Sequence, residues 1–391
     1  MSSERREDFL ELVRQRDIVV CAGSGGVGKT TTSAVLGLQA AVEGQRVLVM
    51  TIDPARRLAN SLGAESLDNE PTQLDLEGFS DVGVRPDGEL WAMMLDMKAS
   101  FDDLVEQRAP DEETRQKILN NRLYEYFSTS LAGTQEYAAA ERLYEAHSSG
   151  DWDLIVLDTP PTTHALDFLE APSRLANAVE SKAFQWIYEK ELFQGESGLG
   201  LFSMGSSYVL KTLGKFTGTE LLEELSVFLQ HFSPMFQGFR DRARQVRDLL
   251  TGPECTFVVV TSPDPHTREE STHFYDELGS ERVAVGGFIV NRVHPRWVDQ
   301  AEFDRPVEDI AAAIADLDVD VELDDSERTR LAERLRTNAA SFYVLARKDA
   351  RSVEQLRAEL SRDIPVATVP FFSQDIHSLT GLDRVRREIF G

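Results

Sequence analysis

Apolar residues in this chain fall into short unbroken runs, separated by longer stretches in which they recur every three or four positions. Phe9, Leu10 and Val13 fit one face of a short helix, and Ile18–Ala22 follows as an apolar run of strand length. Residues 23–30 open a second helix, whose small and apolar residues continue through 34–42 until Gly44 stops it. Residues 46–52 form another strand-length run, ending at Asp53. Further strands are predicted at 89–96, 154–157, 256–261 and 283–290. Runs such as VLVMTI, LIVLD and FVVVT lack the alternation of a half-solvated strand, as expected for parallel strands buried on both faces. The order strand, glycine loop, helix, strand predicts a βαβ crossover. The pattern therefore predicts an α/β fold: a mostly parallel central sheet of about seven or eight strands, helices on both faces, and a helical subdomain.

Two long stretches between the strands carry the helical period. Residues 100–148 are mostly polar helix, and residues 172–250 are rich in Phe, Leu and Met. Within the latter, Leu221, Leu225, Phe228, Leu229, Phe232, Phe236 and Phe239 recur at spacings of three and four, interrupted by Pro234. Residues 195–218 mix glycine and serine with Leu, Phe and Met, the composition of a mobile lid. Residues 326–362 read as one long helix with Leu331, Leu335, Phe342, Leu345, Val353, Leu356 and Leu360 on its apolar side. The organisation is that of one domain over 1–391 with helical insertions at about 100–148 and 172–250.

The composition narrows the partners. Forty-one Lys and Arg against 67 Asp and Glu leave a formal charge of −26, which repels phosphate backbones and disfavours nucleic acid as a partner. The only two cysteines, Cys21 and Cys255, sit in different apolar runs and read as buried thiols. The charged N-terminal stretch lacks the apolar segment of a signal peptide, and no run approaches the roughly 20 apolar residues of a membrane helix. A cytoplasmic location is expected.

The chemistry begins at Gly23-Ser24-Gly25-Gly26-Val27-Gly28-Lys29-Thr30, a P-loop in strand-to-helix context. Its glycines let backbone N–H groups turn toward phosphate oxygens at a helix start. Gly25, Gly26, Val27, Gly28, Lys29, Thr30 and Thr31 are thus expected to bind ATP, with Lys29 on the β- and γ-phosphates and Thr30 on Mg²⁺. Asp53, at the end of the next strand, is placed to orient or deprotonate an attacking water. Asp158 ends LIVLD and is placed to hold Mg²⁺ through water, ahead of a Thr/Pro-rich loop able to sense the γ-phosphate. His164 in that loop is open between such a role and a structural hydrogen bond.

GSGGVGKTTT, TIDPARRLANSLG and LDTPPTTHALDFLEAP together resemble the P-loop, switch I and switch II of the anion-transporting ATPases. That family includes the arsenite-pump ATPase and the ATPase that targets tail-anchored membrane proteins. The resemblance extends to GFIVNRV, where Asn291 matches an adenine-contacting Asn, and to VPFFSQDIHSLTGL, where Pro370 and Phe371 would border the base. It implies Asp53 as the water-activating residue, Asp158 as the Mg²⁺-linked switch II carboxylate, a homodimer, and an apolar groove across that dimer.

Three departures qualify it. Ser24 stands where the family's signature lysine would reach the partner's nucleotide. Arg56 or Arg57, just after Asp53, is open between replacing that charge in trans and pairing with acidic neighbours. No CxxC pair is present, so no intersubunit zinc is expected, and two dispersed cysteines do not make the thiolate cluster that arsenite requires. The expected activity is that of a dimeric Mg·ATP hydrolase coupling ATP to an apolar helical client or membrane-protein partner. The alternatives are a nucleotide-gated regulatory scaffold with weak turnover, motivated by Ser24, or a metalloid-efflux subunit. Residues 172–250 would form either the client groove or packed core.

Overall fold

The computed structural model describes residues 3–53, 57–76, 78, 84–122, 124–125, 128, 134–159, 236–317, 323–376 and 378–391. In chain order its elements begin with α1 (Ser3–Gln15), β1 (Ile18–Ala22), α2 (Lys29–Val42), β2 (Arg46–Thr51), α3 (Arg57–Leu62), β3 (Thr72–Gln73) and β4 (Glu89–Met94). Next come α4 (Met97–Arg108), α5 (Glu112–Leu119), α6 (Thr134–Ser149), β5 (Leu154–Asp158), α7 (Phe236–Thr251), β6 (Cys255–Thr261) and α8 (Pro265–Ser280). The chain ends with β7 (Val285–Val293), α9 (Gln300–Phe303), α10 (Val307–Ala315), α11 (Asp325–Glu359), β8 (Val366–Pro370) and α12 (Leu379–Phe390).

The eight strands form one sheet in the order β3-β4-β2-β5-β1-β6-β7-β8. All neighbours are parallel except β3, which runs antiparallel to β4 at the edge. This is the expected α/β architecture. Strand residues alternate between two cores. Val19 and Cys21 join α1, α2 and α12 on one face, while Ile18, Val20 and Ala22 join α6, α7, α8 and the C-terminal half of α11 on the other. Every residue of β1, β5 and β6 is buried, which explains their unbroken apolar sequences. Burying each Val, Ile, Leu or Phe side chain of these strands contributes about 1.5–3 kcal/mol.

Several boundaries differ from the sequence reading. The strand expected at 89–96 stops at Met94 because Asp96 caps α4, its side chain accepting from the Ala99 amide. The strand expected at 283–290 begins at Val285 and runs on through Asn291 to Val293, with a register shift near its end. The helix expected across 100–148 is three described helices, broken where Asp111 caps α5. Of 172–250, only the part from Phe236 is described, as α7. The 195–218 segment, the Leu221–Phe232 positions and His164 lie outside the described residues. The long helix is present as α11, started by a capping box in which Asp324 and Glu327 satisfy each other's backbone amides. None of the described helices is long and apolar enough to cross a membrane.

Candidate functional site

The sheet order reverses direction at β1: β2 lies two places to one side and β6 is adjacent on the other. Ligands of open α/β sheets bind beyond the strand C-termini at such a switch point. Here that position is a cleft of about 580 Å³ lined by the start of α2, by Asp53 and Arg57, by Thr159 and Asn291, and by residues 369–376.

The loop between β1 and α2 is set by steric need. Gly23 has φ of 148°, and a Cβ there would sit 2.0 Å from the carbonyl oxygen of Val260 on β6. Gly28 has φ of 100°, and a Cβ would meet the Asn291 amide nitrogen at 2.2 Å. These positions admit only glycine without rearrangement. Gly28 is the N-cap of α2, so no side chain caps the helix, and no acidic residue occupies its first turn. Its leading N–H groups, at the positive end of the helix dipole, are left for an anion. Lys29 is 6% exposed, and its Nζ donates to the carbonyls of Gly23 (2.8 Å) and Ser24 (2.9 Å). Those bonds hold the ammonium across the loop with a third N–H remaining. Burial holds its pKa below the ordinary lysine value.

Beside the loop, Asp158 at the end of β5 is 1% exposed. One carboxylate oxygen, Oδ2, accepts from the hydroxyls of Thr30 (2.8 Å) and Thr51 (2.9 Å). The other, Oδ1, is buried without a hydrogen-bond partner. Burial pushes the Asp158 pKa up to about 6, against the opposing pull of the two hydroxyls and of Lys29. Asp53 stands at the mouth, its amide donating to Thr51 Oγ1 at 3.2 Å and its carboxylate 3.3 Å from the Arg57 guanidinium. Thr159 donates to the Cys21 carbonyl at 2.8 Å, tying the chain after β5 to β1. Ser24 Oγ donates to Glu270 of α8 at 2.5 Å.

At the far wall, Asn291 Nδ2 donates to the Val27 carbonyl at 2.8 Å, locking β7 to the P-loop. Pro370 ends β8, and the Phe371 amide bonds the Val293 carbonyl at 2.9 Å, which holds Phe371 at the rim. Its ring stacks on His294 at 5.2 Å, and His294 Nδ1 is 2.7 Å from the Asp349 carboxylate.

The fold thus brings Gly26, Gly28, Lys29, Thr30, Thr31, Asp53, Arg57, Asn291, Pro370 and Phe371 to one cleft, with Asp158 bonded to Thr30 beneath it. Gly25 and Val27 complete the loop, the first exposed and the second buried. Arg56 lies outside the described residues. Sequence reasoning did not single out Thr51, Glu270, His294 or Asp349. Thr51 sits within a buried strand like any core threonine, and the other three are brought in by helices or strands distant in the chain.

A family model described as anion-transporting ATPase matches residues 16–314. The chain belongs to the anion-transporting ATPase family. It is an ATPase, and its nucleotide is ATP. Over 378 residues it is 24% identical to a protein of Cryptosporidium parvum named "ATPase ASNA1 homolog", covering 92% of this chain and 91% of that one. It is 27% identical to "ATPase GET3" of Podospora anserina, with coverage of 70% and 72%. It is 25% identical to "Putative arsenical pump-driving ATPase 1" of Aquifex aeolicus, with coverage of 73% and 65%. The family match takes in β1 through α10 but not α11, β8 or α12, so Phe371 lies outside it.

Proposed function

We propose that this ATPase is a Mg²⁺-dependent nucleotide switch that works as a homodimer and couples ATP turnover to binding of an apolar helical segment of a client protein. In this reading the amides of residues 25–31 and the Lys29 ammonium bind the β- and γ-phosphates and draw off negative charge as the terminal bond breaks. Asp53 accepts a hydrogen bond from the attacking water and orients it. Thr30 and Asp158 would hold Mg²⁺. When bound, the ion neutralises phosphate charge. Asn291 and Phe371 bound the adenine.

The single observation that carries the reading is Asp158: a buried carboxylate with one oxygen bonded to the P-loop threonine and the other without a partner. Most buried carboxylate oxygens are hydrogen-bonded, so a partnerless one beside a phosphate cradle points to a ligand there. Donors of oxygen type beside a phosphate cradle fit Mg²⁺ rather than a soft metal. The test is steady-state ATPase alongside nucleotide binding. Lys29→Ala should lose both, and Asp53→Asn should lose turnover while retaining ATP. Undiminished turnover in Asp53→Asn would remove Asp53 from the mechanism.

The client reading draws on the Phe-, Leu- and Met-rich composition of 172–250 and on the similarity to "ATPase GET3". The metalloid reading, prompted by the Aquifex relative's name, is disfavoured by the cysteines. Cys21 and Cys255 are fully buried in opposite cores, and burial raises both thiol pKa values, that of Cys21 to about 12. Neither thiolate is offered to a ligand.

A further inference from the structure

Two non-glycine residues among those described have positive φ, Arg282 at 62° and Arg292 at 60°. The first is accounted for by the chain around it. Arg282 follows the end of α8, where its amide bonds the Gly279 carbonyl and the Val283 amide bonds that of Leu278, the two bonds of a left-handed helix stop. Arg292 has no such turn. It is the penultimate residue of β7, at the register shift against β8 between Val290 and Val293, and the left-handed conformation costs free energy there. The Asn291 side chain holds it in place: Oδ1 accepts from the Arg292 amide at 2.9 Å, while Nδ2 donates to the Val27 carbonyl of the P-loop. Backbone strain that the surroundings hold in this way collects at ligand sites.

Arg292 lines the nucleotide cleft, as do two other cationic residues among those described, Lys29 and Arg57. Those two are engaged, Lys29 with the carbonyls of Gly23 and Ser24 and Arg57 with Asp53. Among the described residues no side-chain hydrogen bond or ion pair holds the Arg292 guanidinium, although acidic residues outnumber basic ones by 67 to 41 in this chain. Its place in the wall is set from both sides. Asn291 is bonded to the phosphate cradle through Val27, and the Val293 carbonyl accepts from the Phe371 amide at the rim. Arg292 therefore stands between cradle and rim. We infer that Arg292 is a further nucleotide-binding residue of this ATPase, its guanidinium lying on the face of the adenine ring. The inference rests on the reading of the cleft as the ATP site and adds a residue to it. The phosphates already have the cradle amides and Lys29, whereas Asn291, Pro370 and Phe371 on the base side carry no charge. A planar, weakly hydrated guanidinium stacks on aromatic rings and adds a cation–π attraction that an uncharged side chain would not supply.

Calorimetric titration of the full chain with ATP and with inorganic tripolyphosphate, each with Mg²⁺, tests this alongside urea unfolding. Arg292→Ala and Arg292→Gly should both bind ATP about 10-fold more weakly than the wild type and bind tripolyphosphate as the wild type does. The two variants should part in stability. Glycine relieves the strain that alanine keeps, so Arg292→Gly should unfold at the higher urea midpoint while binding ATP no better. Arg292→Lys, which keeps the charge without the planar group, should recover only part of the ATP affinity. Wild-type ATP affinity in both the alanine and glycine variants refutes the contact. An equal loss for ATP and tripolyphosphate refutes the adenine face and assigns Arg292 to the phosphates. A wild type that binds no ATP overturns the reading of the cleft, and this inference with it.

Discussion

Gly23→Ala and Gly26→Ala make a controlled pair in one loop. Both glycines have positive φ, 148° and 76°, so an added Cβ costs each about 1–2 kcal/mol of backbone strain. Their surroundings differ. At Gly26 nothing lies within 4 Å of the new Cβ, while at Gly23 it would sit 2.0 Å from the Val260 carbonyl oxygen. Val260 is a fully buried residue of β6, paired through Ile289 to β7, so its backbone cannot retreat without disturbing the middle of the sheet. Overpacking of this kind costs about a further 1–3 kcal/mol. The expectation is a loss of about 2–5 kcal/mol for Gly23→Ala and about 1–2 kcal/mol for Gly26→Ala. Urea unfolding read as a midpoint shift at constant slope measures the difference. Because Gly23 also accepts the Lys29 bond, its variant should lose ATP affinity at denaturant-free conditions as well. Equal midpoints for the two variants would refute the steric argument, and a larger loss at Gly26 would invert it.

Other outcomes are expected from the same geometry. Asn291→Ala removes the bond to the Val27 carbonyl and should cost about 1 kcal/mol of stability; nucleotide titration should show weaker ATP binding, and unchanged affinity would detach Asn291 from the site. The Arg57–Asp53 pair has a guanidinium 63% exposed, so Arg57→Ala should alter stability by less than about 1 kcal/mol. If Arg57 supplies charge in trans, the same variant should lower turnover by about 10³-fold, and wild-type turnover would end that role. Native protein at pH 8 should not react with a thiol reagent, and two thiols should appear on unfolding; reaction of folded Cys21 would contradict its burial. The Cys21 thiol, raised from 9.0 to about 12, ionises first in the unfolded chain, so its contribution is intact below pH 9 and is lost as pH climbs through 12. Melting across that range in wild type and Cys21→Ala measures it, and identical slopes would remove the linkage.

The P-loop, the flanking βαβ unit and the two strand-end aspartates were legible because each is a local consequence of local residues. Buried parallel strands demand unbroken apolar runs, and a phosphate cradle demands glycine at turns with positive φ. Two short features left no such mark. The two residues of β3 are exposed and pair only through their backbone, and β8 is a mixed VATVP segment whose strand character comes from lying beside β7. Helix periodicity likewise did not reveal the breaks in 100–148, since capping by Asp111 interrupts the backbone without interrupting the polarity of the sequence.

Chain order alone was enough to specify most of the buried strands, which loop would need glycine at positive φ, and that carboxylates would follow two of those strands. It was not enough to say which groups meet. That Thr51 shares the Asp158 oxygen with Thr30, that Glu270 takes the Ser24 hydroxyl, and that His294 stacks on Phe371 are contacts between segments far apart in the chain. The same holds for α11, whose apolar side reads as one stripe but is buried in its second half and exposed in its first. Period reports which side of a helix is apolar; only the placement of the sheet and its neighbouring helices decides how much of that side is covered.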